Sequence, residues 1–81
     1  MNDIPEQQLV KAARSGDADA FETLVRRYEK RVYALALRMC GNPSDAQEAA
    51  QEAFLSAWQS LPFFRGEASF ATWLYRLTVD R

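Results

Sequence analysis

Histidine is absent from this chain, and cysteine occurs once, at Cys40. Those two shortages exclude Cys/His zinc spacings, an internal disulfide framework, and histidine-activated nucleophiles. No P-loop pattern is present either. Asp45, Glu48 and Glu52 cluster on one segment, yet no second carboxylate-bearing helix faces them, so a metal site is not expected. Together these gaps argue against an enzyme and against any resident cofactor. No apolar run approaches the length of a bilayer span and no secretory signal opens the sequence, so membrane insertion is not expected and a cytoplasmic location follows. A large excess of one charge is also missing. The net charge of −1 argues against gripping duplex DNA by bulk electrostatics.

What remains is an ordinary globular composition, 48% hydrophobic and 26% charged, on 81 residues. That length suits one domain with a modest core. Glycine and proline occur only three times each, and they punctuate helical patterns. The first helix is expected from about Pro5 to Ser15, with Asp3 and Glu6 spaced as a capping pair and Gly16 as its stop. The second is expected from about Ala18 to Cys40, with a stripe of Phe21, Leu24, Val25, Tyr28, Val32, Leu35 and Met39. Gly41 is its natural C-cap. Cys40 falls at the end of that pattern and reads as a small buried hydrophobe.

The third helix is expected from about Asp45 to Leu61, with Ser44 and Gln47 at capping-box spacing and Ala46, Ala50, Ala53, Phe54, Ala57 and Leu61 inward. The fourth opens at Ser69, buries Phe70, Trp73, Leu74 and Leu77, and runs to Arg81. With almost no strand signal, the expected fold is all-α, a compact bundle of about four helices.

Charge is distributed in two blocks. From Arg26 to Arg38 five basic residues (Arg26, Arg27, Lys30, Arg31, Arg38) meet only Glu29, whereas no basic residue lies between Met39 and Phe64. A two-signed surface suits two partners better than one. On the third helix, Glu48, Gln51, Glu52 and Leu55 form a stripe at i, i+3, i+4, i+7, extended by Trp58 and Gln59. A polar stripe with apolar anchors reads as a protein-binding face. The plainer alternative is a solvated face with Trp58 in the core.

Between the last two helices lies an aromatic and basic loop: Phe63, Phe64 and Arg65, turned by Gly66. Ser69, Thr72 and Arg76 follow off the buried stripe. Ring faces, guanidinium groups and helix-start amides are what an unstacked base and its phosphates require. An ordinary capped core helix explains the apolar stripe but not this loop.

The run FRGEASFATWLYRL, residues 64 to 77, resembles the corresponding part of region 2 in bacterial extracytoplasmic-function sigma factors. Residues 44 to 58 resemble the polymerase-docking segment of the same domain, and Gly16-Asp17 through Tyr28 resemble its first long helix more loosely. The resemblance implies a sigma region 2 fold and a promoter-specificity role. It implies that Glu48, Gln51, Glu52, Leu55 and Trp58 dock on the β′ clamp helices of core RNA polymerase. It implies that Phe63, Phe64, Arg65, Gly66, Ser69, Thr72, Arg76 and Asp80 meet single-stranded, non-template DNA at the minus-ten promoter element. Arg31 and Arg38 lie beyond that loop and are expected to touch phosphate without choosing sequence.

The resemblance also implies a further helix-turn-helix domain, region 4, which is expected to be missing from these 81 residues, and an anti-sigma factor as a partner. Two departures stand out. Ala49, Ala50 and Ala53 replace larger residues, which predicts looser packing of the third helix, and Asp80 stands where asparagine is common. A carboxylate there repels phosphate. Two rival readings stay open: an interaction module that an anti-sigma factor seizes, and a stand-alone duplex-binding helical domain.

Overall fold

A computed structural model describes residues 4–80. Their elements are α1 (Glu6–Arg14), α2 (Ala18–Cys40), α3 (Pro43–Ser60), a single 3₁₀ turn (Leu61–Phe63) and α4 (Phe70–Val79). The all-α expectation holds, with no strand among the described residues. The molecule measures 34 × 28 × 18 Å. The 23 residues of α2 account for the long dimension, at about 1.5 Å of rise per residue.

Side chains set the helix starts. The Asp17 carboxylate accepts from the Ala20 amide at 3.1 Å and opens α2. Asn42, not Ser44, opens α3: its Oδ1 accepts from the Asp45 amide at 2.9 Å while Nδ2 donates to the Asp45 carboxylate, also at 2.9 Å. Pro43 takes the first helical position, where its missing N–H costs nothing, so the Ser44–Gln47 capping box does not form. Pro5 is the residue before α1 and provides no side-chain cap. The expected Asp3 contribution lies outside the described residues. Gly41 closes α2 in the left-handed region (φ 82°), its amide donating to the Leu37 carbonyl at 2.9 Å.

All four helices meet in one core, where Leu9, Leu24, Val32, Leu61, Phe70 and Leu74 are buried. A smaller cluster of Ala36, Ala46 and Ala49 joins the far ends of α2 and α3. The stripe on α2 departs from the sequence pattern. Its buried residues are Ala20, Leu24, Tyr28, Val32 and Ala36, spaced four apart, a row that winds obliquely round the helix. Hence Ala36 is buried, Leu35 is half-buried and Met39 is 45% exposed. Cys40 is half-buried beside the smaller cluster.

Helix α3 repeats the lesson. Ala46, Ala49, Ala50, Ala53 and Ala57 are buried, whereas Phe54 only flanks the core. The alanines do not loosen α3. Small side chains let it lie close along α2, and these two helices share the most extensive helix–helix contact.

Helix α4 spans Phe70–Val79, with the Asp80 amide donating to the Arg76 carbonyl at 2.8 Å; the expected end at Arg81 lies outside the described residues. Its buried residues are Phe70, Leu74 and Thr78, while Trp73 and Leu77 are half-buried. Polar Thr78 is accommodated because its hydroxyl donates to the Leu74 carbonyl at 3.0 Å.

Candidate nucleic-acid interface and the outer face of the third helix

The loop between the 3₁₀ turn and α4 is held at both ends. Phe64 packs inward, its ring centroid 4.9 Å from Trp73 and 6.3 Å from Phe70. At the other end Ser69 caps α4: its hydroxyl oxygen accepts from the Thr72 amide at 3.1 Å and lies 3.0 Å from the Thr72 hydroxyl. Between them Gly66 takes φ 75°, which lets the chain reverse without strain. The loop is therefore a preformed feature on a rigid aromatic base.

Its outer elements face water. Phe63 is 79% exposed, and Arg65, Thr72 and Arg76 are exposed. Neither Arg65 nor Arg76 forms an ion pair among the described residues. Phe63, Phe64, Arg65, Trp73 and Arg76 surround one concavity of about 380 Å³. Gly66 and Ser69 line a second one of about 670 Å³ on the other side of the loop, against α1. The loop is a partition: Phe64 and Arg65 border both spaces. Thus the structure brings Phe63 and Arg76 to one side and Gly66 and Ser69 to the other, with Phe64 and Arg65 between them and Thr72 joined to Ser69. Asp80 is exposed at the C-terminal end of α4.

The basic block of α2 separates into distinct roles. Arg26 pairs with Glu22 at 2.9 Å. Arg27 donates to the Ile4 carbonyl at 2.7 Å and ties down the entry to α1. Arg31 lies over the Tyr28 ring, 5.7 Å from its centroid. Arg38 is exposed in the last turn of α2, where a cation complements the helix dipole. The Tyr28 hydroxyl donates to the Glu6 carboxylate at 2.6 Å, and burial first, then this acceptor, pushes its phenol up to about 12.

On α3, Glu48, Gln51, Glu52 and Leu55 all face outward, with Leu55 56% exposed. Trp58 is half-buried, its ring 5.0 Å from Phe21. It buttresses the end of the stripe more than it projects from it. Beside the stripe, Val25, Tyr33, Ala50 and Phe54 line a groove of about 680 Å³ between α2 and α3, with Gln51 on its rim. The sequence reading missed this groove, because its apolar lining comes from both helices. It also placed Trp73 wholly in the core, whereas the ring walls the smaller concavity. No group of carboxylate or cysteine side chains able to hold a metal ion occurs among the described residues. No helix among them is long and apolar enough to cross a membrane.

Residues 24–81 match the family model for sigma-70 region 2. The chain belongs to the sigma-70 region 2 family. It is 41% identical over 75 residues to the RNA polymerase sigma-H factor of Pseudomonas aeruginosa, covering 93% of this chain and 39% of that protein. It is 42% identical over 79 residues to the ECF RNA polymerase sigma factor SigW of Bacillus subtilis, covering 93% and 42% respectively. The ECF RNA polymerase sigma-E factor of Escherichia coli strain K12 shares 40% over 77 residues, covering 95% and 40%. The chain thus spans about two fifths of the length of these curated relatives. An NMR structure of an engineered region 2 of sigmaE in complex with GTAAAA superposes with a TM-score of 0.90 at 36% identity, covering 99% of this chain and 83% of that one. The relatives are named as sigma factors and not as enzymes.

Proposed function

We propose that this sigma region 2 domain fixes itself to core RNA polymerase through α3 and reads the minus-ten promoter element by capturing an extruded non-template base at the 63–69 loop. One observation carries the reading: an exposed phenylalanine, Phe63, beside two unpaired guanidinium groups, Arg65 and Arg76, on a loop pinned by buried aromatics. The ring supplies a stacking face, the guanidiniums neutralise phosphate, and the pinned loop holds both in place before DNA arrives. Flipping a base costs a few kcal/mol and stacking on an aromatic returns roughly 1–3 kcal/mol. Capture thus roughly balances extrusion, and the polymerase supplies the rest.

Ser69 and Thr72 present hydroxyls at the helix start for a base edge. Arg31 and Arg38 supply phosphate contacts blind to sequence. Asp80 stands at the far end of α4, where its charge disfavours direct phosphate contact. Glu48, Gln51, Glu52 and Leu55 form the clamp-docking face, with Trp58 supporting it from behind. Such a domain works in the cytoplasm as one part of a longer sigma factor whose region 4 reads a second promoter element. An anti-sigma factor would regulate it by covering the groove between α2 and α3 next to Gln51. The test is binding of the chain to single-stranded minus-ten oligonucleotides in which each base is varied in turn. Selectivity confined to one or two positions supports capture; uniform binding refutes it.

A further inference from the structure

We infer that α1 carries a second contact for the same single strand: Lys11 and Arg14 hold the phosphates that flank the captured base, in the groove between α1 and the 64–70 loop. This rests on the base-capture reading and names a site outside the loop. Gln7, Val10, Lys11 and Arg14 recur at i, i+3, i+4, i+7, and all four line that groove of about 670 Å³. The opposite side of α1 is committed to the core through Leu9 and Ala13. So one face of a nine-residue helix is spent on packing and another on the loop.

The groove is chemically suited to a nucleotide. Lys11, Arg14 and Arg65 line it, and neither Lys11 nor Arg14 is ion-paired among the described residues. Its two carboxylates are Glu6, which accepts from the Tyr28 hydroxyl at 2.6 Å, and Glu67, so three cations face two anions and the lining stays net positive. Val10, Phe64 and Phe70 give it an apolar floor for a sugar or a base. A last-turn position already suits a cation through the helix dipole. The dipole does not explain why both side chains border the loop.

Geometry links this groove to the reading loop. Phe64, Arg65, Glu67 and Ala68 border both concavities. A strand whose base is held at the loop therefore brings its neighbouring sugar-phosphate unit across the partition to α1. The loop selects a base, and α1 sets how tightly and in which direction the strand leaves.

The test uses the full 81-residue chain and two labelled single-stranded oligonucleotides. One spans only the minus-ten bases; the other carries thymidine extensions on both sides. Wild type is expected to bind the extended strand more tightly. Lys11→Ala with Arg14→Ala removes most of that gain, about tenfold at low salt, and lowers the salt slope by about 1.4 for two lost single-strand contacts. Base preference stays unchanged. Lys11→Glu with Arg14→Glu deepens the loss, and circular dichroism stays the same because both side chains are exposed. Arg26→Ala, which removes one exposed cation that is already paired with Glu22, leaves the slope unchanged.

Extended-strand binding that is the same in wild type and the double variant overturns the inference. So does a loss in Arg26→Ala equal per charge removed, which would reduce the effect to bulk charge. Absence of any base preference in wild type instead defeats base capture, while a reduced slope in the double variant still supports the α1 contact.

Discussion

The Ser69 hydroxyl oxygen accepts from the Thr72 amide at 3.1 Å and lies 3.0 Å from the Thr72 hydroxyl. Two side chains assigned to base reading are thus already engaged with each other, one as a helix cap. Ser69→Ala is expected to cost about 0.5–2 kcal/mol. Ser69→Asp keeps an acceptor of equal capping strength but adds a negative charge beside the DNA path. Chemical denaturation should find Ser69→Asp near wild-type stability while its affinity for single-stranded DNA falls. Equal DNA affinity in both proteins would show that Ser69 is a cap alone.

Gly66 combines φ 75° with open space where a Cβ would stand. The cost of Gly66→Ala is therefore conformational, about 1–2 kcal/mol, with no clash added. Much of it can be relieved by moving the loop. The expected signature is a lowered melting temperature together with weaker base selectivity; full selectivity at reduced stability would show that the turn is not part of the reader.

Helix α3 separates packing from docking. Leu55→Ala and Gln51→Ala remove outward side chains and should change stability by less than about 0.5 kcal/mol. Binding to a β′ clamp-helix fragment should weaken by more than about 1 kcal/mol for a contact at the centre of the interface. By contrast, Leu24→Ala or Leu61→Ala, both fully buried, should cost about 2–5 kcal/mol. Phe54→Ala should cost less than full burial of its ring would imply, because Phe54 only flanks the core. Titration against the fragment beside urea unfolding resolves these classes, and unchanged fragment affinity in both surface variants would remove the docking face.

Tyr28 gives the fold a pH signature. Its phenol ionises at about 12 in the folded chain against 10.0 ordinarily, chiefly through burial and then through its bond to Glu6. A raised pKa means the folded state holds its proton more tightly. The associated stability is complete below pH 10 and is lost as pH rises through about 12. Tyr28→Phe should unfold with a shallower dependence over that window, at a cost of about 1 kcal/mol near neutrality for the lost hydrogen bond. An identical alkaline profile in both proteins would refute the assignment.

Much of this was legible in the sequence, and the misses share a cause. Helix number, the Ser69 cap and the Gly41 stop followed from local chemistry, which a sequence displays directly. The burial of Ala36 and Ala49, the exposure of Met39 and the partial exposure of Phe54 did not. Those depend on which row of side chains the neighbouring helix crosses, a tertiary choice invisible to periodicity on one segment. Asn42 displaced Ser44 because Pro43 prefers the first helical position, a competition that counting Ser-to-Gln spacing overlooks. At the site, composition picked out the loop, but only the structure shows Phe64 turned inward and Phe63 outward. The α1 groove was invisible because its two walls are more than forty residues apart in sequence.

Base capture is tested most directly by exchanging residues 63–69 for the corresponding loop of a sigma region 2 domain with a different promoter preference, then measuring affinity for single-stranded minus-ten oligonucleotides with every base varied. Capture predicts that the preferred base changes to that of the loop donor, at one or two positions, with duplex binding weak throughout. A preference that stays with the recipient, or a duplex bound as selectively as the single strand, would contradict it.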